Sequence, residues 1–402
     1  MFSSAFIVFG VIVSTPMEII NGIYKIIKTS DILITDYIEI SGIGAAFVNS
    51  GLLMLMSTLI MLFLKVDIVG ISISSIFLMG SFALFGKNIF NVWFIIIGLI
   101  LYVKFKKLKI KDYIHIGFFA TSIAPIFTEI LFFMDFSLWI RIPLAIFVSL
   151  SIGFIIVPLS IHMFKIHKGF NLYNTGFVVG ILGTVYISIF KSFGYITDSK
   201  LIWSEGNDFL LAGFLIGIFT IMFMSGLWFG KKNVCEKKKI SSYTGLICDF
   251  VKLEGFGATL KNMAINGFIS MIYILVVGGP LNGPTLAGII TVSGFGAMGK
   301  HFKNLVPIFV GVIVGNILGM YRLDDPVILI AALFGTALSP ISGYYGWIWG
   351  VLAGIINSAV VMNSGILHGG MNLYNTGFSA GIVAAVMVPF LEMIMKKKKV
   401  VD

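Results

Sequence analysis

The chain reads as an all-α polytopic membrane protein of about 14 helical elements in two inverted-topology repeats, some of them candidates for broken or re-entrant segments. Three observations predict this. Hydrophobic residues make up 58% of the 402 and charged residues only 11%, whereas a soluble domain carries roughly 25% charged residues. Apolar stretches of about 20 residues recur along the chain, each enough to cross ~30 Å of hydrocarbon as a helix. The same landmarks then appear twice in the same order. Helices follow from membrane residence because each backbone polar group in lipid must be satisfied internally, and a barrel would show short alternating segments instead.

The elements can be taken in order. The first, 5–25, starts in the apolar Met1–Ile20 stretch, which has no basic leading region and no small-residue cleavage site; it reads as a retained helix, not a signal peptide. The next, 42–64, opens on Gly42-x-Gly44-Ala45-x-x-x-Asn49, a small-residue face suited to close helix packing. Shorter elements at 70–86 and 91–103 follow. That at 114–133 carries Thr121-x-x-x-Pro125-Ile126, then 140–158 leads into a polar motif and 174–195 begins inside it. The second half repeats the series at 208–229, 259–279, 284–299, 305–320, 327–345, 347–363 and 375–395. Its glycine- and proline-rich runs, 278–285 and 336–346, predict discontinuous helices.

The duplication is visible residue by residue. His-x-Gly-x-Asn-Leu-Tyr-Asn-Thr-Gly-Phe-x-x-Gly-Ile runs from His167 to Ile181 and again from His368 to Ile382, with 11 of 15 positions identical. A shift of 213 aligns Asp36 with Asp249, Asn49 with Asn262, Gly70 with Gly283, Gly86-Lys87 with Gly299-Lys300 and Asn91 with Asn304. The halves are 1–200 and 201–402, forming one integrated transmembrane domain with a loop at 230–258.

Seven elements per half is an odd number, so the second copy enters the membrane inverted. With both termini and the 230–258 loop cytoplasmic, alternating loops place 21 of the 28 Lys+Arg inside and 7 outside, as the positive-inside rule requires. The net charge of +10 therefore reads as membrane orientation and not as nucleic-acid binding. Heavy use of isoleucine and lysine hints at an AT-rich bacterial genome, and the expected location is a bacterial cytoplasmic (inner) membrane. Cys235 and Cys248 show no metal-ligand spacing, and no cofactor or metal is expected. The expected partners are the lipid bilayer and a small solute, with a homo-oligomer left open.

The twin motifs are the leading site. Asn171, Tyr173, Asn174 and Thr175, with Asn372, Tyr374, Asn375 and Thr376, place uncharged polar groups amid apolar sequence, where they are costly unless paired or facing a cavity. They read as substrate-path contacts; capped helix starts held by interhelical hydrogen bonds are the competing reading. His167, His368, Glu18 and Glu129 are candidate proton-relay groups because intramembrane ionisable residues are rare. Asp36 with Lys87, and Asp249 with Lys300, read as structural ion pairs pinning helix ends.

On the twin Asn-Leu-Tyr-Asn-Thr-Gly-Phe, Ile34-Thr35-Asp36-Tyr37, Leu281-Asn282-Gly283-Pro284-Thr285 and Gly299-Lys300-His301, the chain resembles, over nearly its whole length, a bacterial membrane family known as domain of unknown function 1576. That resemblance implies no substrate. Tyr173-Asn174-Thr175-Gly176 and its twin are also similar to the Tyr-Asn-Gly that precedes a helix in each inverted half of urea transporters, with a threonine inserted and that family's other signature runs missing.

The expectation is a transporter or channel, and not an enzyme, for a small polar solute that is uncharged or weakly charged. A non-transporting subunit anchoring a complex is the alternative, and a lipid-acting membrane enzyme the third.

Overall fold

The computed structural model describes residues 1–195, 200–232 and 238–395. Among them all regular elements are helical, and the one β-feature is an isolated bridge between Thr35 and Ile202. In the first half α1 (Phe2–Val13) and α2 (Pro16–Lys28) meet at 115°. They are followed by α3 (Tyr37–Phe63), α4 (Gly70–Phe82) and α5 (Trp93–Phe105). Next come α6 (Ile114–Ala120) and α7 (Pro125–Phe132), the arms of a span bent by 47°, then α8 (Leu138–His167) and α9 (Asn174–Ser192). The second half holds α10 (Asp208–Lys232), α11 (Phe250–Val276), α12 (Gly283–Gly294), α13 (Phe302–Ile317), α14 (Pro326–Gly335), α15 (Ser339–Tyr345), α16 (Trp347–Leu367) and α17 (Asn375–Ile394). Eight helical segments are long and apolar enough to cross a membrane, two bent pairs add two more spans, and four shorter apolar helices complete the set. The chain is a multi-pass membrane protein, and its fourteen elements are those the sequence predicts.

Local chemistry explains the helix starts. Thr15 and Glu18 form a capping box at α2, where Pro16 fits the first turn; the Glu18 carboxylate accepts from the Thr15 amide at 2.8 Å and hydroxyl at 2.9 Å. Glu18 is exposed, which corrects its assignment to a proton path: its oxygens serve a helix cap. Asp36 and Asp249 are the N-caps of α3 and α11. One turn further on, Gly42 (φ 81°) and Gly255 (φ 83°) break both helices in a conformation suited to glycine.

The two halves repeat each other's hydrogen bonds. Asn49 Nδ2 donates to the carbonyls of Ala83 (2.8 Å) and Lys87 (2.9 Å), and Asn262 Nδ2 to those of Gly296 and Lys300 (both 2.8 Å). Asn91 donates to Gly86, and Asn304 to Gly299. Other contacts are exchanged between halves. Asp36 accepts from the Gly283 amide at 3.1 Å, at the start of α12, while Asp249 accepts from the Gly70 amide at 3.0 Å, at the start of α4. The Ser74 hydroxyl donates to the Gly294 carbonyl, and Ser81 bonds Thr291, so α4 and α12 lie antiparallel.

These exchanges correct the ion-pair expectation. Asp36 is fully buried and also bonds the Ile38 amide and both the amide and hydroxyl of Ser204; Asp249 bonds the Val251 and Lys252 amides. Each carboxylate thus satisfies the free N–H groups of two helix starts, where the helix dipole favours negative charge, and neither pairs with a lysine among the described residues.

Candidate functional site

The twin motifs meet at the centre of the molecule. Tyr173 and Tyr374 stand ring against ring with centroids 4.6 Å apart, and one turn on Phe177 and Phe378 stack at 6.2 Å. Glycine makes this approach feasible: a Cβ on Gly176 would lie 2.9 Å from the Tyr374 ring. Asn171 Nδ2 donates to the Gly377 carbonyl at 3.0 Å, and Asn372 Nδ2 to that of Gly176 at 3.2 Å. The Oδ1 atoms of both asparagines accept from the amide two residues on, Tyr173 and Tyr374, at 2.9 Å.

The histidines hold these loops. His167 Nε2 bonds Asn174 Oδ1 and His368 Nε2 bonds Asn375 Oδ1, each at 2.9 Å, while Nδ1 of each accepts from the amide of Asn171 or Asn372 at 3.4 Å. An accepting Nδ1 leaves the ring hydrogen on Nε2. Both ring nitrogens of His167 and His368, the residues expected to relay protons, are engaged in these bonds, so each imidazole braces its loop. Glu129 accepts from Ser30 and from Tyr195 (3.0 Å) and so anchors the 29–36 segment; it too is structural.

Beside the tyrosines sit the two lysines, both fully buried. Lys300 Nζ donates to the Tyr173 hydroxyl and to Thr336 Oγ1 at 2.7 Å, and lies 4.4 Å from the Tyr173 ring centroid. Lys87 Nζ finds the Phe118 carbonyl at 3.3 Å and the Met79 sulfur at 3.8 Å, 5.0 Å from the Phe82 ring. No carboxylate forms an ion pair with either ammonium among the described residues. By symmetry Lys87 would reach Tyr374, yet the buried Tyr374 hydroxyl has no partner, nor does Thr376 Oγ1.

A cavity of about 500 Å³ ends on this centre. Five of the eight predicted contacts line it: Asn171, Tyr173, Asn174, Thr175 and Tyr374. Asn372, Asn375 and Thr376 do not. Its walls are otherwise mostly apolar, with Phe119, Phe295 and Met298 deep inside and Lys165 and Ile247 toward the mouth. No sequence motif marks these wall residues, although Met298 and Phe295 fall within the aligned block around Gly299-Lys300.

The symmetry-related space is filled. Phe82, Phe85 and Phe334 replace Phe295, Met298 and Phe119 and are fully buried. Ile34, the counterpart of Ile247, is 3% exposed against 71%. The 32–36 segment is clamped there: the Leu33 amide donates to the Gly370 carbonyl, the Ile34 amide to that of Lys200, the Ile202 amide to that of Ile34 and the Asp36 amide to that of Ile202, and Ile32 packs on Gly370. Asp31, which sequence reasoning missed, secures this plug. It is fully buried and accepts from Tyr37, from Thr128 at 2.8 Å and from Asn91 at 3.0 Å. Its aligned position is Thr244, so the repeat search passed over it.

The family model described as Protein of unknown function (DUF1576) matches residues 15–192 and 231–393, so the chain belongs to that family. No curated protein and no solved structure matches the chain. The likeness to urea transporters therefore rests on the short tyrosine–asparagine motif alone.

Proposed function

From that membership and this geometry, we propose that the chain is a bacterial inner-membrane carrier that moves a small polar solute by alternating access between two inverted repeats. The observation that carries the reading is the one-sided cavity: it runs from a mouth at Lys165 and Ile247 to the tyrosine pair, while its symmetry mate is sealed. Two related halves in unlike conformations around one centre are what an alternating carrier requires. A channel conducts only while both approaches are open together, and here one is sealed.

Inversion is supported by the loops. The 29–36 segment clusters with Ser204, Asp208 and Asn282, whereas its repeat at 242–249 clusters with Gly70, Gly169 and His301. Between these clusters runs Asp208–Gly230, 23 mostly apolar residues, about 35 Å of helix. Equivalent loops thus belong at opposite membrane faces. The Lys168–Glu392 bridge brings the end of α17 to the end of α8, in keeping with a cytoplasmic C-terminal side. Residues Lys396–Lys399 and Cys235 lie outside the described residues.

The expectation of an uncharged or weakly charged solute came with Lys87 and Lys300 tied up in ion pairs. Among the described residues neither lysine has a carboxylate in an ion pair, and solute charge becomes an open variable for experiment. The test is flux. Purified protein in liposomes is challenged with a panel of small neutral and monovalent solutes, and Ser160→Trp, which fills the cavity, should return any protein-dependent flux to background. If no solute crosses faster than in protein-free liposomes, the reading falls.

A further inference from the structure

The cavity wall carries polar side chains that the fold does not require, and the sealed half serves as the control. Ser160 and Val361 are equivalent, since their carbonyls accept from Asn174 Nδ2 at 3.1 Å and Asn375 Nδ2 at 3.4 Å. In that register Lys165 corresponds to Ile366, and the match of Thr121 to Thr336 sets His115 against Ile330. Equivalent helices thus hold two isoleucines where the cavity is lined by an amine and an imidazole. Lys165 is exposed and forms no ion pair among the described residues, and the His115 ring makes no hydrogen bond there. The first turn of α9 belongs to the same wall. Asn174, Thr175 and Gly176 line the cavity, and their amides, the first of the helix, have no acceptor among the described residues. The Thr175 side chain, on a residue only 7% exposed, makes no hydrogen bond either. Its twin Thr376 has a hydroxyl sealed from solvent on the plugged side, whereas Thr175 stands on the cavity wall. No Asp or Glu lines this cavity; Asp112, one turn before His115, is exposed outside it.

We propose that the start of α9 is an oxyanion site for a small organic anion. The anion enters past Lys165, rests its apolar body on Phe119, Phe295 and Met298, and sets its oxygens on the α9 amides and the Thr175 hydroxyl, with His115 a further donor from α6. The assignment names the substrate class for the carrier reading and rests on it. Donors without acceptors at a helix N-terminus favour negative charge, and a charged acceptor makes hydrogen bonds roughly twice as strong as a neutral one. The equivalent start of α17 is closed: none of Asn375, Thr376 and Gly377 lines the cavity. Its approach carries Ile330 and Ile366 in place of His115 and Lys165, so the attraction of an anion belongs to the open side alone.

The experiment is calorimetric titration of the full-length protein in detergent with benzoate, benzenesulfonate and benzamide, the last a neutral isostere of benzoate. At least one anion should bind about tenfold or more tightly than benzamide, and which one does so tells a planar carboxylate from a tetrahedral head group. Thr175→Val keeps the side chain's shape and removes a hydroxyl that bonds nothing within the protein. It should weaken the preferred anion about five- to tenfold without lowering the unfolding temperature. Lys165→Ile and His115→Ile install the residues of the other half, and each should narrow the gap between that anion and benzamide. No preference for either anion, or a Thr175→Val variant that binds the anion as the parent does, overturns the inference. Paired flux measurements separate it from the carrier reading. Anion binding without anion flux sinks the carrier and leaves the site; protein-dependent benzamide flux without an anion preference sinks the site and leaves the carrier.

Discussion

Adding one methyl group at either of two kinds of glycine should move stability in opposite directions. Gly180 faces Phe378 where α9 meets α17: a Cβ there would lie 2.3 Å from the ring, and on Gly381 2.2 Å from Phe177. Carbon contacts settle near 3.5–4.0 Å, so α9 and α17 would have to part by more than an ångström, an overpacking that costs about 1–3 kcal/mol. Gly217 in α10 is exposed and its added Cβ would meet nothing within 4 Å. There Ala gains about 1 kcal/mol of helix propensity. Gly180→Ala shares that gain and adds the clash, so the two variants should differ by roughly the clash term, 1–3 kcal/mol. The pair Gly180→Ala with Gly381→Ala should cost less than the sum of the singles, because one separation of the helices relieves both contacts. Denaturant titration in mild detergent, followed by tryptophan fluorescence, reads all four. Equal stabilities for Gly180→Ala and Gly217→Ala would refute the close packing of the twin helices.

Three further outcomes follow from the hydrogen-bond map. Lys87→Met should leave the protein as stable or more so, since it replaces a buried amine that pairs with no carboxylate among the described residues; a loss of about 3–5 kcal/mol would instead reveal a broken buried ion pair. Asn171→Ala strands the Tyr173 amide and the Gly377 carbonyl and should cost about 1–3 kcal/mol in the same unfolding assay, with Asn372→Ala matching it. Asp31→Asn should loosen the plug: hydrogen exchange at Ile32–Ile34 should speed up while exchange in the matching loop around Ile247 stays the same, and uniform exchange across both loops would contradict the anchoring role.

Much of the fold was legible because membrane sequences carry few polar residues, and those few are easy to align. The recurrence of Asn49 and Asn262 marked equivalent bonds before their partners were visible. Recurrence alone could not tell what Asp36 and Lys87 do, since two charges that repeat together fit an ion pair as well as a helix cap beside a separate cation; only the Gly283 and Ser204 donors decide it. Glu18 was misplaced for a related reason: the break at Ser14–Thr15 interrupts an apolar run that composition reads as one span. In the motif, the asparagines and histidines hold the loops, while the two tyrosine hydroxyls differ: that of Tyr173 accepts from Lys300 and that of Tyr374 is buried without a hydrogen bond among the described residues. The asymmetry between cavity and plug was hard to read because the search looked for recurrence, and Asp31, which anchors the plug, is a departure from it: Thr244 stands at its aligned position, while near-equivalent residues such as Ile34 and Ile247 differ in exposure.

Thiol accessibility tests the carrier reading most directly. With Cys235 and Cys248 changed to Ser, Met298→Cys places a thiol in the cavity wall and Phe85→Cys places one at the sealed mate. In oriented membranes without solute, an impermeant maleimide should modify Met298→Cys only from the face bearing the 238–249 loop and Phe85→Cys from neither face. During solute flux Phe85→Cys should become reactive from the opposite face alone. Modification of both thiols from the same face, or of both at once from either side, would contradict an inverted, alternating carrier.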